Sequence, residues 1–138
     1  MTVAQEPDLQ AALYAVLTAA VADVERHGEL VDVPVFDHAP RDQTGLYIVM
    51  DGFSVQDRSM KNREVAAHPF LVRVLIRPGG EVAYDMGLMF VKQITGKLHT
   101  ALMASRLFDC PLEHTSTDFD DGDDGAEPSS VSRYRVIL

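Results

Sequence analysis

Apolar residues recur at every third or fourth position near the beginning of the chain. Pro7 and Asp8 precede this repeat, and Gly28 follows it. Asp8 can accept a backbone N–H at the first turn of a helix, and glycine is common just after the last turn. The spacing therefore predicts an amphipathic first helix. Its apolar positions are Leu9, Leu13, Val16, Leu17, Ala20, Val21 and Val24.

Alternation of apolar and polar residues then replaces the helical repeat. Residues 31–35 alternate around Pro34, which has no backbone N–H to donate, and this predicts a short strand at a sheet edge. Residues 46–55 are rich in β-forming side chains and predict a longer strand. The polar segment 56–65 predicts a hairpin tip, and residues 68–77 predict a central strand with one buried face.

The second half of the chain combines one more helical repeat with two further strands. Apolar spacing over 81–105 predicts a second helix that contains Gly87 and Gly96, each of which costs roughly 1 kcal/mol relative to alanine. Residues 111–117 and 131–138 predict the last two strands. The order helix, three strands, helix, two strands predicts one α+β domain over the whole chain, with a mostly antiparallel sheet of about five strands packed with two helices.

The segment between the last two predicted strands is unusually acidic. Residues 118–125 read DFDDGDDG, in which five of the eight residues are aspartates. An EF-hand loop requires acidic residues at positions 1, 3 and 5, glycine at 6 and glutamate at 12. Neither Asp118 nor Asp120 starts a register that fits, and the segment follows a strand instead of a helix. We therefore expect a flexible, solvated acidic loop over about 118–130 and no metal site.

Composition and charge narrow the function classes. The 138 residues carry a formal net charge of −9, with 21 acidic residues against 12 Lys and Arg. Because phosphate binding requires a basic surface, this balance argues against a protein that holds nucleic acid. The single cysteine, Cys110, excludes an internal disulfide and a cysteine-based zinc site. With no signal-peptide pattern and no long apolar stretch, we expect the chain to fold in a reducing cytoplasm.

Common catalytic motifs are absent from the sequence. It has no GxSxG, HExxH, Walker lysine loop or GxGxxG, and its five histidines have no ligand spacing. The pairs that could support catalysis in principle also arise by chance in a chain of this length. These pairs are Cys110 with His114, Tyr84 with Asp85, and Glu113 with His114. The sequence therefore predicts no catalytic residue, no cofactor-binding residue and no metal ligand.

Three methionines of the second helix could line a ligand pocket. Met86, Met89 and Met103 are flexible apolar side chains of the kind found at adaptable binding surfaces. Their helical spacing favours packing in the core instead.

Two polar segments carry opposite charge. The hairpin tip contains Arg58, Lys61 and Arg63, whereas residues 118–125 are acidic. Oppositely charged ends suit head-to-tail contacts between copies of the chain, and such contacts close into a ring when the rotation allows it.

The element order and several local segments resemble the tail terminator proteins of long-tailed bacteriophages and gene transfer agents, also called tail completion or tail-to-head joining proteins. The similar segments are DLQAALYAVLTAAV, VPVFDHAP with LYIVMDG, SVQDRSMKNREV with PFLVRVLIRPGG, and EVAYDMGLMFVKQITGKLHTAL with SRYRVIL. Together these segments cover nearly the whole chain. The similarity lies in their sequence patterns and not in catalytic motifs. The family is divergent and has no invariant chemical motif, so we transfer no individual functional residue. The acidic insert at residues 118–127 departs from the resemblance.

The resemblance implies a structural protein without catalysis or cofactor. Such proteins form a homohexameric ring on the finished tail tube, stop its polymerisation and offer a surface to the head–tail connector or stopper protein. The expected location is the virion, at the head-proximal end of the tail, after assembly in the bacterial cytoplasm and without contact with a membrane. DNA passes through the lumen without specific binding, and an acidic protein suits that passage because it repels phosphate. The acidic loop would then lie at the lumen or at one face of the ring.

Two alternatives remain from the sequence. One is a small-molecule-binding or enzymatic α+β domain with a pocket under the methionine-rich second helix. The other is a different virion component: a head-side connector, a minor tail protein or an assembly chaperone.

Overall fold

The computed structural model describes residues 6–26, 28–51, 56–60, 63–77, 87–105, 112–122 and 127–137. Two helices and eight strands lie within these ranges. The helices are α1 (Glu6–Ala20) and α2 (Leu88–Ala104). The strands are β1 (Glu25–Arg26), β2 (Glu29–Leu30), β3 (Val35–Phe36), β4 (Gly45–Asp51), β5 (Gln56–Met60), β6 (Arg63–Arg77), β7 (Leu112–Asp120) and β8 (Ser129–Ile137).

The main sheet has the strand order β3-β4-β6-β8-β7, and β5 also pairs with β6. Its neighbours are antiparallel except for the parallel pair β3–β4. Strand β6 is central, because Leu71 pairs with Asp51 of β4 on one side and with Arg133 of β8 on the other. The α+β class, the mostly antiparallel sheet and the central strand are thus confirmed.

One face of the sheet is covered by both helices. Alternate residues of β6 point to this face because side chains of a strand alternate between its two sides. Fully burying each large apolar side chain contributes about 1.5–3 kcal/mol, so this layer accounts for most of the core. The buried residues include Leu9, Leu13 and Leu17 of α1, Phe70, Val72, Val74 and Ile76 of β6, and Val91, Ile94, Leu98 and Leu102 of α2.

Most of the polar segment at residues 56–65 forms strand. The hairpin tip predicted there is therefore shorter than the sequence indicated, and that prediction is wrong for the residues of β5 and for the start of β6. Gln56 pairs with Ala67 and Met60 pairs with Arg63, which makes β5 and the start of β6 an antiparallel ladder. Polar side chains do not prevent strand formation when the backbone finds a pairing partner, since β propensity depends strongly on context.

The acidic segment also contains more strand than the sequence indicates. Asp118 pairs with Val131 and Asp120 pairs with Ser129, so β7 and β8 both extend into the predicted loop over about 118–130. The turn then begins at Gly122, whose φ is +71° and whose N–H donates to Asp120 Oδ1 at 2.8 Å. Residues 123–126 lie outside the described residues.

Element ends differ from the sequence predictions in three places. Helix α1 ends at Ala20, and the two-residue strands β1 and β2 form a separate ribbon that was not predicted. Helix α2 begins at Leu88, with Gly87 as its N-cap residue; residues 81–86, which the prediction included, lie outside the described residues. The strand predicted at 31–35 shares only Val35 with β3, so its predicted extent is wrong, whereas the edge position of β3 is confirmed.

Candidate interaction surfaces

Among the described residues, neither helix covers the second face of the sheet. On β6 this face carries Leu71, Arg73 and Leu75, which are half-buried, while their neighbours Phe70 and Val72 are buried toward the helices. This face therefore combines half-buried apolar side chains with charged ones. We call it the open face.

Arginines on the open face are paired with carboxylates from neighbouring strands. All three pairs are partly exposed, so each contributes less than about 1 kcal/mol to folding. Their main effect is to neutralise the positive charge of this face. The pairs are Arg73–Asp51 (Nε–Oδ2 3.2 Å), Arg133–Asp118 (Nη1–Oδ2 2.5 Å) and Arg135–Glu113.

Apolar side chains alternate with these ion pairs. Val49 of β4 lies across from Arg73, and Arg73 lies across from Val131 of β8. At the end of the same face, the Tyr47 ring is buried and meets Phe36 edge-to-face at a centroid distance of 6.2 Å. The open face is therefore electrically balanced and partly apolar, in contrast to the strongly acidic chain as a whole.

The two oppositely charged segments lie at opposite ends of β6. The β5–β6 hairpin joins at the Met60–Arg63 pair, whereas Leu75 pairs with Ser129, next to the acidic turn. An extended strand from Arg63 to Leu75 spans roughly 40 Å. Strand β8 pairs with β6 only as far as Ala67, so the hairpin extends beyond β8. Lys61, one of the basic residues of the β5–β6 hairpin, lies outside the described residues.

Of the three residue pairs considered for catalysis, only Glu113 with His114 lies wholly within the described residues. Cys110, Tyr84 and Asp85 lie outside the described residues. Glu113 and His114 point to opposite faces of β7: Glu113 accepts a hydrogen bond from Arg135, and His114 Nε2 contacts Thr117 Oγ1 at 2.7 Å. They therefore do not form an acid–base pair with each other.

The methionines of α2 do not pack in the core, so that prediction is wrong for Met89 and Met103. Their exposed fractions are 71% and 48%. The helix instead buries Val91 and Leu98 on the side that faces the sheet. Met89 and Met103 thus do not line a pocket beneath the helix, and Met86 lies outside the described residues.

A surface cleft of about 510 Å³ lies away from α2, at the acidic end of β6. Tyr47, Leu75, Arg77, Asp120 and Glu127 are among the residues that line it. Its polar, open lining offers little apolar contact to a small molecule, which binds best in an enclosed and mostly apolar cavity.

A polar cluster joins α2 to β7 and β8, and the sequence did not indicate it. His99 Nδ1 lies 2.9 Å from the Tyr134 hydroxyl, and the His99 and His114 rings are in contact at a centroid distance of 4.7 Å. Burial raises the pKa of Tyr134 to about 12, and a hydrogen bond with Ser132 opposes this shift. His114 and Tyr134 meet because of the register of β7 against β8, and His99 meets them because α2 packs on these strands. No local sequence motif could therefore have revealed the cluster.

Within the described ranges, no three His, Cys, Asp or Glu side chains are arranged to hold a metal ion. The same part of the chain has no helix that combines the length and apolar character needed to cross a bilayer.

Comparison with known proteins finds similarity at the level of structure. No known protein family matches the sequence, and no curated protein matches it. Among solved structures, the chain is similar to a chain from the virion of a native gene transfer agent particle, with a TM-score of 0.59 and 21% sequence identity. The similarity covers 94% of this chain and 92% of that chain. At this level of identity, the two chains share a fold.

Proposed function

We propose that this protein is a structural component of a virion, and specifically the tail terminator of a phage or gene transfer agent particle. The observation that carries the proposal is the end-to-end similarity to a gene transfer agent virion chain, over 94% of this chain. It agrees with the resemblance of the local sequence segments to tail terminators. The protein forms a ring on the tail tube, ends tube polymerisation and binds the head–tail connector.

The surface of the molecule supports assembly better than catalysis. A ring requires two different complementary surfaces on each copy, and the chain offers an open face, a projecting hairpin and an acidic end. In a ring, neighbouring copies would cover some of the large apolar side chains that are exposed among the described residues. They are Tyr14, Leu30, Met89, Met103 and Phe119.

The charge distribution supports passage of DNA without binding. The formal net charge is −9, and Arg73, Arg133 and Arg135 are each paired with a carboxylate. A phosphate backbone therefore meets few free cations on the open face, and counterion release contributes little affinity. The acidic turn after Asp120 adds negative charge at the lumen or at one face of the ring.

The test is an assembly experiment in two parts. First, purified protein is examined by light scattering over a range of concentrations and by electron microscopy, where rings of about six copies are expected. Second, tail tube protein is polymerised with and without this chain. We expect tubes to stop growing when the chain is present and to lengthen without limit when it is absent.

Labelling of finished particles separates the terminator from other virion roles. A gold label on this chain should lie at the junction of head and tail. A label on the head side of that junction or at the distal tip, or tubes whose length is indifferent to the chain, would refute the terminator assignment. Absence from finished particles would indicate an assembly chaperone.

A further inference from the structure

Helix α1 carries no charge on the side that faces away from the core. Residues 9–22 read LQAALYAVLTAAVA and contain no Asp, Glu, Lys or Arg, although 24% of the chain is charged. A surface helix ordinarily places charged and polar residues on its outer side. The outer side of α1 therefore has the character of a helix that is covered on both sides, and we call it the outer face. Its exposed residues are Ala11, Tyr14, Ala15, Thr18 and Ala19.

The outer face also has a protruding ring and a recess. Tyr14 is 47% exposed. Beside it lies a surface cleft of about 380 Å³, which is lined by Ala11, Phe36 and Met50 among other residues. Binding hot spots are enriched in tyrosine and form where a side chain of one protein fills a pocket of the other. The outer face thus offers both halves of such an arrangement.

Charge limits which surface can cover the outer face. Each copy of the chain has a formal net charge of −9, and like charges repel, so two copies approach best through surfaces without net charge. The open face is such a surface, because Arg73, Arg133 and Arg135 are each paired with a carboxylate. It lies on the opposite side of the sheet from α1. One chain therefore supplies an uncharged helix on one side and a charge-balanced sheet on the other.

Dimensions and apolar content favour the β4–β6 half of the open face. The uncharged stretch of α1 is about 21 Å long and the helix about 10 Å wide, whereas β4 spans about 23 Å and two neighbouring strands lie about 4.8 Å apart. One helix therefore covers about two strands. Val49, Leu71 and Leu75 supply half-buried apolar side chains there. Asp51 Oδ1 and Arg73 Nε are already shielded from solvent, so covering this ion pair costs less desolvation than covering exposed ions.

We propose that the outer face of α1 packs on the β4–β6 half of the open face of a second copy of this chain. The proposal rests on the proposed ring and adds to it the two surfaces that neighbouring copies share. Because these surfaces lie on opposite sides of the domain, every contact leaves one of each free, and the contacts continue head-to-tail until a ring closes. The β7–β8 half of the open face and the acidic turn stay outside the contact.

The test uses two variants, each of which blocks one surface. Ala15→Glu places a charge on the outer face, and Val49→Glu places one on the open face, across from Arg73. Analytical ultracentrifugation from about 1 μM to about 1 mM follows assembly. Each variant should associate at least roughly hundredfold more weakly than the wild type, because the contact would bury an unpaired charge. The matched control is Gln93→Glu, which adds the same charge at an exposed position of α2 and should assemble like the wild type.

A mixture of the two variants distinguishes a contact between two different surfaces from a symmetric one. The Ala15→Glu protein keeps its open face, and the Val49→Glu protein keeps its outer face. An equimolar mixture should therefore form a dimer with one copy of each variant and nothing larger. If α1 instead packed on α1 of the second copy, the Val49→Glu protein alone would associate like the wild type, and that result would overturn the proposal.

Failure of this contact is distinguishable from failure of the terminator role. Ala15 is exposed, so its variant should fold and tests the contact even if Val49→Glu does not fold. Rings that persist in Ala15→Glu would overturn the contact and leave the terminator assignment intact. A wild type that stays monomeric at about 1 mM but still limits tube length would also overturn the contact alone. A wild type that does neither would contradict both proposals.

Discussion

Thr95 of α2 and Ser130 of β8 share a 2.7 Å hydrogen bond in the interior, where both side chains are almost fully buried. Each hydroxyl is the other's partner across the junction of helix and sheet. Because a buried polar group without a partner is unfavourable, this bond favours the observed orientation of α2 against β8.

Removing both members of this pair should cost less than the two single removals added together. Thr95→Val or Ser130→Ala leaves one buried hydroxyl unpaired, and we expect each to lower the free energy of unfolding by about 1–3 kcal/mol. The double variant should lose clearly less than the sum of the two. Urea denaturation of all four proteins completes the cycle. Strictly additive losses would mean that the two hydroxyls do not stabilise each other.

Truncation of two α2 residues tests which side of the helix packs on the sheet. Leu98→Ala should lower the free energy of unfolding by about 2–5 kcal/mol, because it leaves a cavity in the core. Met89→Ala should change it by less than about 0.5 kcal/mol, since Met89 is 71% exposed. Thermal or urea unfolding measures both. A large loss for Met89→Ala in the isolated monomer would instead support a methionine-lined core.

The central strand could be predicted from the sequence, but the ends of its neighbours could not. Phe70, Val72 and Val74 alternate with half-buried residues, and this local pattern is sufficient to identify β6 and its buried face. Asp118 and Asp120 have low β propensity, so their place in β7 depends on pairing with β8 and on the ion pair to Arg133. The residues that stabilise this part of β7 are distant from it in sequence. A local sequence pattern therefore does not predict that the strand continues there.

The polar cluster was beyond prediction for a related reason. His99, His114 and Tyr134 lie on three different elements and are separated by intervals that match no ligand motif. Their contact depends on the register of β7 against β8, which includes an irregularity between His114 and Ser116. A shift of one residue would turn His114 to the open face.

The turn after β7 should tolerate only glycine at its start. Gly122 has a φ of +71°, and a Cβ added there would lie 2.6 Å from the Glu127 carbonyl oxygen. Gly45 has a similar φ of +81°, but a Cβ at that position would meet nothing within 4 Å. Gly122→Ala should therefore lower the free energy of unfolding by more than Gly45→Ala, for which about 1 kcal/mol is expected from the backbone alone. Equal losses in urea denaturation would show that the turn rearranges freely.

An ion pair links Lys97 of α2 with Asp23, which lies in the turn after α1. The Lys97 ammonium donates to the Asp23 carboxylate, and this hydrogen bond and the attraction between the charges lower the pKa of Asp23. Lys97→Gln should raise that pKa toward the ordinary aspartate value, whereas Lys92→Gln, the control on the same helix, should leave it unchanged. The carboxyl chemical shift of Asp23, followed by NMR against pH, measures the change.

The lowered pKa of Asp23 also fixes the sign of a small pH effect on stability. A carboxyl group whose pKa is lower in the folded state stabilises the protein above its unfolded-state pKa, and this contribution is lost as the pH falls through the folded-state value. The difference in stability between the wild type and Lys97→Gln should therefore shrink on acidification. A difference that grows in acid would contradict the pairing.

The acidic turn gives the last prediction, which rests on the terminator proposal. Neutralising Asp121, Asp123 and Asp124 to asparagine should leave the yield of particles unchanged, because the ladder between β7 and β8 ends at the Asp120–Ser129 pair. DNA release from these particles should become slower or less complete, since fewer negative charges repel the passing phosphates. The measurement is the fraction of particles that release their DNA after triggering, as a function of time.

The matched control neutralises three exposed aspartates elsewhere in the chain: Asp32, Asp37 and Asp42. Both triple variants change the net charge by the same amount, so a general effect of charge would alter DNA release equally in the two. A slower release confined to the variant in the acidic turn would locate that turn beside the DNA path. If both variants release DNA at the wild-type rate, the acidic turn is a solvated connection between β7 and β8 without a role in passage.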